Sequence, residues 1–340
     1  MCIFISTENF ENHRKQKIIQ YMALSAEHIL TLQQLKGIGT KTIFKIAEQV
    51  INPISTIEEL CAFWKTLKGK KQEAISADDI IEANISAKRI IAASANASIG
   101  LVGYYDESFP EILRHTINED GKEDPPLLLW YRGDLSVTNL PGLAVIGTRE
   151  ATPEGIAGGM FLSGEFAKRG FNIVSGLAIG CDTCGHKGAL KGGGKTTAFL
   201  ANGLDHDSIY PEENQELAEE IVAKGGLLLS EYHIGQSVNR YALVARDRLQ
   251  AALSLATLVV QTGVKGGTMH AANTTLKAKK TLYAMKFKNE ATNLHEKCLG
   301  NAFLVEQGAK YISGGDNLDQ ISESIRNWKP LPTSIQLTLL

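Results

Sequence analysis

The sequence predicts an α/β protein in which a doubly wound parallel sheet follows a small helical domain. Three observations carry that prediction. Strand and helix patterns alternate from Leu143 to Phe287, a spacing that makes βαβ units with right-handed crossovers. Several of the strand runs are apolar throughout, as strands are when helices cover both faces of a sheet. Residues from about 20 to 95 carry helical periodicity with few strand signals.

Taken in order, residues 1–98 are expected to form the helical domain, 99–328 the sheet domain and 329–340 a short tail with no room for a winged helix. Within the first, Leu35, Lys36, Gly37, Ile38, Gly39, Thr40 and Lys41 join two helical segments through a glycine–hydrophobic–glycine turn. Two readings stand: a helix-hairpin-helix grip on nucleic-acid phosphates, with Lys36 and Lys41 beside a free helix N-terminus, or a plain αα-turn with a glycine cap. Residues 99–141 are expected to be a lead-in extension, in which Gly100 to Gly133 is an irregular connector carrying Phe109-Pro110 and Pro125-Pro126, then the apolar run Leu127–Tyr131. Strands are then expected near 143–147, 172–176, 197–201, 227–231, 257–261 and 281–287. Helices are expected over 154–169, 182–191, 213–224, 246–254 and 267–279, with another at 316–327. No internal repeat is evident.

Composition narrows the class. At 340 residues, 44% hydrophobic and 21% charged, the chain is an ordinary globular one with room for two domains. It has no run long enough for a membrane helix and no basic region ahead of its first apolar patch, so a cytoplasmic protein is expected. Five cysteines do not suggest a disulfide framework. The net charge of −2 hides an uneven distribution. From Gln236 to Lys288 nine basic residues face one acidic residue, Asp247, whereas Asp205 to Glu231 holds eight acidic residues and only Lys224. A local basic face can bind an anionic polymer on a neutral protein.

The chemistry-bearing signals lie where the strands end. Leu143–Ile146 runs into Gly147, Thr148 and Arg149, and Asn172–Val174 into Ser175, Gly176, Leu177 and Ala178. Thr197–Leu200 leads to Asn202 and Gly203, and Thr257–Val260 to Gln261 and the Lys265, Gly266, Gly267, Thr268 turn. Open α/β sheets bind ligands at the carboxyl ends of their strands, so these turns mark one site for a phosphate-bearing ligand. Arg240, Arg246, Arg248 and Lys265 sit beside those ends; Arg149 serves either a phosphate or a structural pair with Asp182 or Asp205.

Two tempting motifs fail. Gly192–Thr196 imitates a P-loop, but Ala189 stands where the first glycine belongs and the helix precedes the strand. Cys181, Cys184 and His186 make half a zinc site, completed only by His206 or Cys298, and read better as the start of a helix. No nucleophile elbow, metalloprotease motif or paired-carboxylate pattern appears. A non-enzymatic binder needing neither metal nor cofactor is expected.

Together the segments Tyr104–Leu113, Pro125–Gly133, Val145–Arg149, Ser175–Ala178 with Asp182, and His186–Leu190 resemble the DNA-processing protein A (DprA/Smf) family. Asn202–Asp205, Tyr210–Asn214, Leu229–Tyr232, Arg246–Arg248 and Gly300–Ala309 continue the resemblance in the same order, over about residues 28 to 325. It implies a Rossmann-like domain that binds and protects single-stranded DNA, forms a homodimer and loads the recombinase RecA in natural transformation. It also implies DNA contacts at Arg149, Lys187, Arg246 and Arg248.

This chain departs from the family pattern at three places. Ile179, Gly180, Cys181 and Asp182 replace an Arg-Gly-Ile/Val-Asp run, and Arg246, Asp247, Arg248 replace Arg-Asn-Arg. Lys265–Thr268 replaces a Ser-Gly-Ser turn. A competing function is a nucleotide sensor or phosphoribohydrolase-like enzyme, against which Gly266, Gly267, Thr268, Met269, His270 lacks the carboxylate for general acid–base work. The tail Gln336–Leu340 resembles a sliding-clamp docking peptide, the alternative being a tail packed on its own domain.

Overall fold

The structure is a computed structural model and describes residues 23–329. The tail peptide Gln336–Leu340 lies outside the described residues. The helical part opens with α1 (Ala26–Gln34), capped by the Ser25 hydroxyl, and α2 (Thr40–Ala47). It continues through α3 (Ile57–Trp64), the one-turn α4 (Lys70–Glu73) and the long α5 (Ala77–Asn96). Thr56 with Glu59 and Ser76 with Asp79 form capping boxes, so the orphan N–H groups that start α3 and α5 are met from within the sequence. Ile29, Leu32, Ile43, Leu60 and Ile80 are fully buried where these helices meet.

The remainder builds one nine-stranded sheet. Its strands are β1 (Gly100–Gly103), β2 (Leu128–Gly133), β3 (Gly142–Ile146), β4 (Asn172–Ser175) and β5 (Lys195–Leu200). They are followed by β6 (Leu227–Ser230), β7 (Ala256–Val259), β8 (Thr281–Met285) and β9 (Lys310–Ile312). The order is β1-β2-β6-β5-β4-β3-β7-β8-β9. All pairs from β6 to β9 are parallel; β1 with β2 and β2 with β6 are antiparallel. The doubly wound parallel sheet and Rossmann-like class expected from the sequence are what the structure has.

Helices cover both faces: α7 (Pro153–Lys168), α8 (Cys181–Lys191), α9 (Gln215–Ala223) and α14 (Leu318–Arg326) on one, α10 (Arg240–Leu253), α11 (Thr268–Lys277) and α13 (Leu299–Glu306) on the other, with the one-turn α12 (Glu290–Asn293) ahead of α13. The alternation of strand side chains follows. Leu143 and Val145 pack toward α7 and α8, while Ile146 packs toward α11.

Two expectations are corrected here. The lead-in contains β1, the short α6 (Glu111–Arg114) and β2, with Trp130 paired to Ser230 across the antiparallel edge, so the segment extends the sheet and is not irregular. The helix expected at 246 begins at Arg240, because the Asn239 side chain accepts the Ala242 N–H and caps it there. Arg246 and Arg248 therefore sit in the middle of a helix and not at its start.

Candidate nucleic-acid interface

The sheet reverses winding between β3 and β7. The chain leaves β3 for α7 on one face and leaves β7 for α11 on the other, so a crevice opens beyond the carboxyl ends of these two neighbouring strands. The Thr148 N–H donates to the Gln261 carbonyl at 2.7 Å, which ties the two walls together at its base. Gly147 admits no side chain: a Cβ there would lie 2.5 Å from Cys181 Sγ and 2.6 Å from the Gln261 oxygen. The Gln261 side-chain oxygen accepts the Thr152 N–H at 2.9 Å and steers the chain into α7.

The resulting cleft has a volume of about 560 Å³. Arg149 and Lys265 stand exposed at its mouth with Gly266 and Gly267, while Arg246, Asp182 and Asp247 form its floor. Arg149 makes no ion pair among the described residues, and Asp182 pairs instead with Arg246 at 4.0 Å. A smaller hollow of about 160 Å³ adjoins the cleft across Arg149 and Arg246; Gly176, Ile179, Asn202 and Tyr210 line it.

The floor is an ion cluster. Arg246 donates through Nη1 to the Phe199 carbonyl at 3.1 Å, and its Nε lies 3.2 Å from Asp247 Oδ1. Asp182 accepts the Ala178 N–H at 3.2 Å. Burial holds the Asp182 carboxyl above the usual range, against the pull of Arg246. Burial also lifts Asp247 to about 6, with Arg246 opposing and Asp182 adding to the rise.

The remaining expected site residues divide by role. Ser175 and Asn202 are buried and shape the turns: the Ser175 hydroxyl donates to the Val145 carbonyl at 2.6 Å, and Asn202 Nδ2 to Gly203 O at 2.9 Å. Gly203 is wedged against the His233 carbonyl, 2.8 Å from where its Cβ would be. Lys187 is exposed on α8, one turn beyond Thr183, and lines neither hollow. Arg240 is exposed at the first position of α10.

Arg248 is placed otherwise than the sequence suggested. Its guanidinium grips both Glu231 oxygens, at 2.8 and 2.9 Å, and its Nε meets Asp124 Oδ2 at 2.7 Å. Its nitrogens face protein acceptors and the side chain is buried, so it has no donor to offer a phosphate without giving up one of these pairs.

Lys297 also lines the cleft, with Nζ 2.5 Å from Glu150; nothing in the sequence pointed to it, because its element follows the sheet core. Cys181 and Cys184 are buried against backbone carbonyls, and burial pushes the Cys184 thiol up to about 12. Among the described residues no group of three His, Cys, Asp or Glu side chains is arranged to hold a metal ion. No helix of the described residues is long and apolar enough to cross a membrane. At the N-terminal turn, Gly37 has a φ of +83° and its carbonyl accepts Lys71 Nζ at 3.1 Å; Gly39 starts α2 without a side-chain cap, and Lys36 and Lys41 are exposed beside it.

Comparison with known proteins decides the family. The sequence profile described as DNA recombination-mediator protein A matches residues 100–325, well over half of the chain. The chain belongs to this family. Protein Smf of Synechocystis is 36% identical over 198 residues, 57% of this chain and 48% of that protein. The DNA processing protein DprA of Streptococcus pneumoniae is 31% identical over 199 residues, covering 57% of this chain and 66% of the relative. The chain thus matches about half to two thirds of the length of these relatives. The DprA of Bacillus subtilis is 30% identical over 238 residues, 69% of this chain and 75% of its own. Among solved structures, DprA from Streptococcus pneumoniae superposes with a TM-score of 0.68 at 24% identity, over 88% of this chain and 97% of that one, and shares the fold. DprA from Helicobacter pylori, described for its single-stranded DNA binding mode, gives a TM-score of 0.56 at 30% identity over 68% of this chain and 97% of that one.

Proposed function

We propose that this chain binds single-stranded DNA in the cleft at the β3/β7 switch and acts in recombination without turning over a substrate. The observation that carries the reading is the pair Arg149 and Lys265, exposed and unpaired among the described residues at the mouth of a cleft walled by glycine turns. An arginine there can pair with a phosphate or stack on a base, and glycines let a backbone approach closely. Membership of the family and the single-stranded DNA binding described for the Helicobacter pylori relative support the ligand. Loading of a RecA-type recombinase, homodimerisation and a role in transformation are the family-level part of the proposal.

The test is an anisotropy titration with a labelled oligonucleotide across salt. Each phosphate contact releases counterions, so affinity falls with salt along a log–log slope. Arg149→Ala combined with Lys265→Ala is expected to weaken binding and flatten the slope by about 0.7 for each phosphate that no longer has a cationic partner; an unchanged slope would refute the site. The N-terminal turn at Lys36, Gly37, Gly39 and Lys41 is proposed as a second, sequence-independent phosphate contact, and Lys36→Ala with Lys41→Ala should lower the slope further.

A nucleotide sensor is the second reading, favoured by the size of the cleft: about 560 Å³ falls in the range of small-ligand pockets. Saturable thermal stabilisation by a mononucleotide, with no response to single-stranded DNA, would favour it.

A further inference from the structure

The floor of the cleft has the wrong charge for a phosphate. Its cation is Arg246, and two carboxylates, Asp182 and Asp247, flank it. With both ionised the trio carries a net charge of −1. The positive charge lies higher, on Arg149 and Lys265 at the mouth.

Asp247 is held so that one oxygen stays available. Its Oδ1 is occupied by Gln250 Nε2 at 3.2 Å and Arg246 Nε at 3.2 Å. A Cβ on Gly267 would stand 3.9 Å from Oδ2, so that oxygen points up the cleft toward the Gly266–Gly267 turn. A carboxylate accepts hydrogen bonds and repels anions. The charged residues that act on Asp247 come from its own and three neighbouring segments: Arg246 on its own helix, Asp182 at the start of α8, Arg149 after β3, and His270 on α11, itself paired with Glu119.

We infer that Asp247 sets the affinity and the path of the DNA strand in this cleft: it excludes a phosphate from the floor, admits a hydrogen-bond donor such as a base amino group, and confines the phosphate backbone to the mouth. The inference rests on the cleft being the DNA site. Because burial lifts Asp247 to about 6, its exclusion acts at neutral pH and is relieved in mild acid.

The experiment titrates a labelled oligothymidylate into wild type, Asp247→Asn and Glu323→Gln at pH 7.5 and pH 5.5, at one salt concentration. Glu323 is an exposed carboxylate on α14 that lines neither hollow, so its variant removes an equal charge away from the cleft, where water screens it. At pH 7.5 Asp247→Asn is expected to bind about five- to tenfold more tightly than wild type, with Glu323→Gln changing affinity by less than about twofold. At pH 5.5 wild type should close most of its gap to Asp247→Asn. Groups that do not interact with Asp247 are common to both proteins, so the narrowing of the gap reports Asp247 together with the charges around it. Wild-type binding with no gain in Asp247→Asn, an equal gain in Glu323→Gln, or a gap that does not change with pH would overturn the inference and leave the DNA site standing. No binding by any of the three proteins would overturn the DNA reading itself. Asparagine has nearly the shape of aspartate, and a thermal melt of each variant confirms that it is folded.

Discussion

The guanidinium of Arg246 fills the space that a side chain on Gly176 would need: a Cβ at 176 would stand 1.3 Å from Nη1. The glycine of the β4 turn and the arginine of α10 are therefore one feature, since Arg246 reaches its place between Asp182 and Asp247 only because position 176 is bare. Gly176→Ala is expected to displace Arg246 and destabilise the fold by about 1–3 kcal/mol, as overpacking in a filled interior does. Chemical denaturation measures the loss. Unchanged stability would show that the guanidinium relocates freely.

Arginines 149 and 248 should separate cleanly. Arg149→Ala is expected to weaken DNA binding with stability unchanged, because the side chain is exposed. Arg248→Met should do the reverse: it strips the half-buried Glu231 and the more exposed Asp124 of their shared partner, at a cost of about 1–3 kcal/mol, less than for a fully buried pair because water reaches both carboxylates. At a temperature where that variant remains folded, its salt slope should match wild type. A shallower slope in Arg248→Met would restore Arg248 as a DNA contact.

His186 makes the fold sensitive to acid. It is buried, its Nδ1 meets the Thr196 hydroxyl at 2.7 Å, and burial lowers it to about 3 from 6.5. The folded state thus binds this proton less readily than the unfolded chain, so the stabilisation is full above pH 6.5 and is lost progressively as pH falls from 6.5 toward 3. His186→Gln is expected to flatten the melting-temperature profile over that interval. A profile as steep as wild type would assign the acid response elsewhere.

Asp247 should act with the opposite sign. Its carboxyl is raised from 3.8 to about 6, so the unfolded chain ionises first and stability falls as pH rises across that window. Asp247→Asn is then expected to melt higher than wild type at pH 7.5 and level with it at pH 4. A constant difference at both pH values would mean that the charge is not what strains the floor.

Much of this was legible in the sequence. The apolar runs at Leu143–Ile146 and Thr257–Val260 announced strands covered on both faces, and the turns after them fall at the cleft as expected. What escaped depends on distant partners. Strand β1, Gly100–Gly103, has four residues and two glycines, too little pattern to show, and exists because β2 pairs beside it. Arg248 looked like its neighbour Arg246, since a basic residue in a helix does not reveal that Glu231 and Asp124, 17 and 124 positions away, will close around it.

That closure reaches beyond the site. Arg248 joins Asp124 of the lead-in to Glu231 at the end of β6 and to the helix that also carries Arg246. The lead-in and the site helix thus inherit one another's geometry. A chimera with a relative's lead-in would have to exchange residues 99–141 together with Glu231 and α10, and a fragment begun at β3 would part with half of its own foundation.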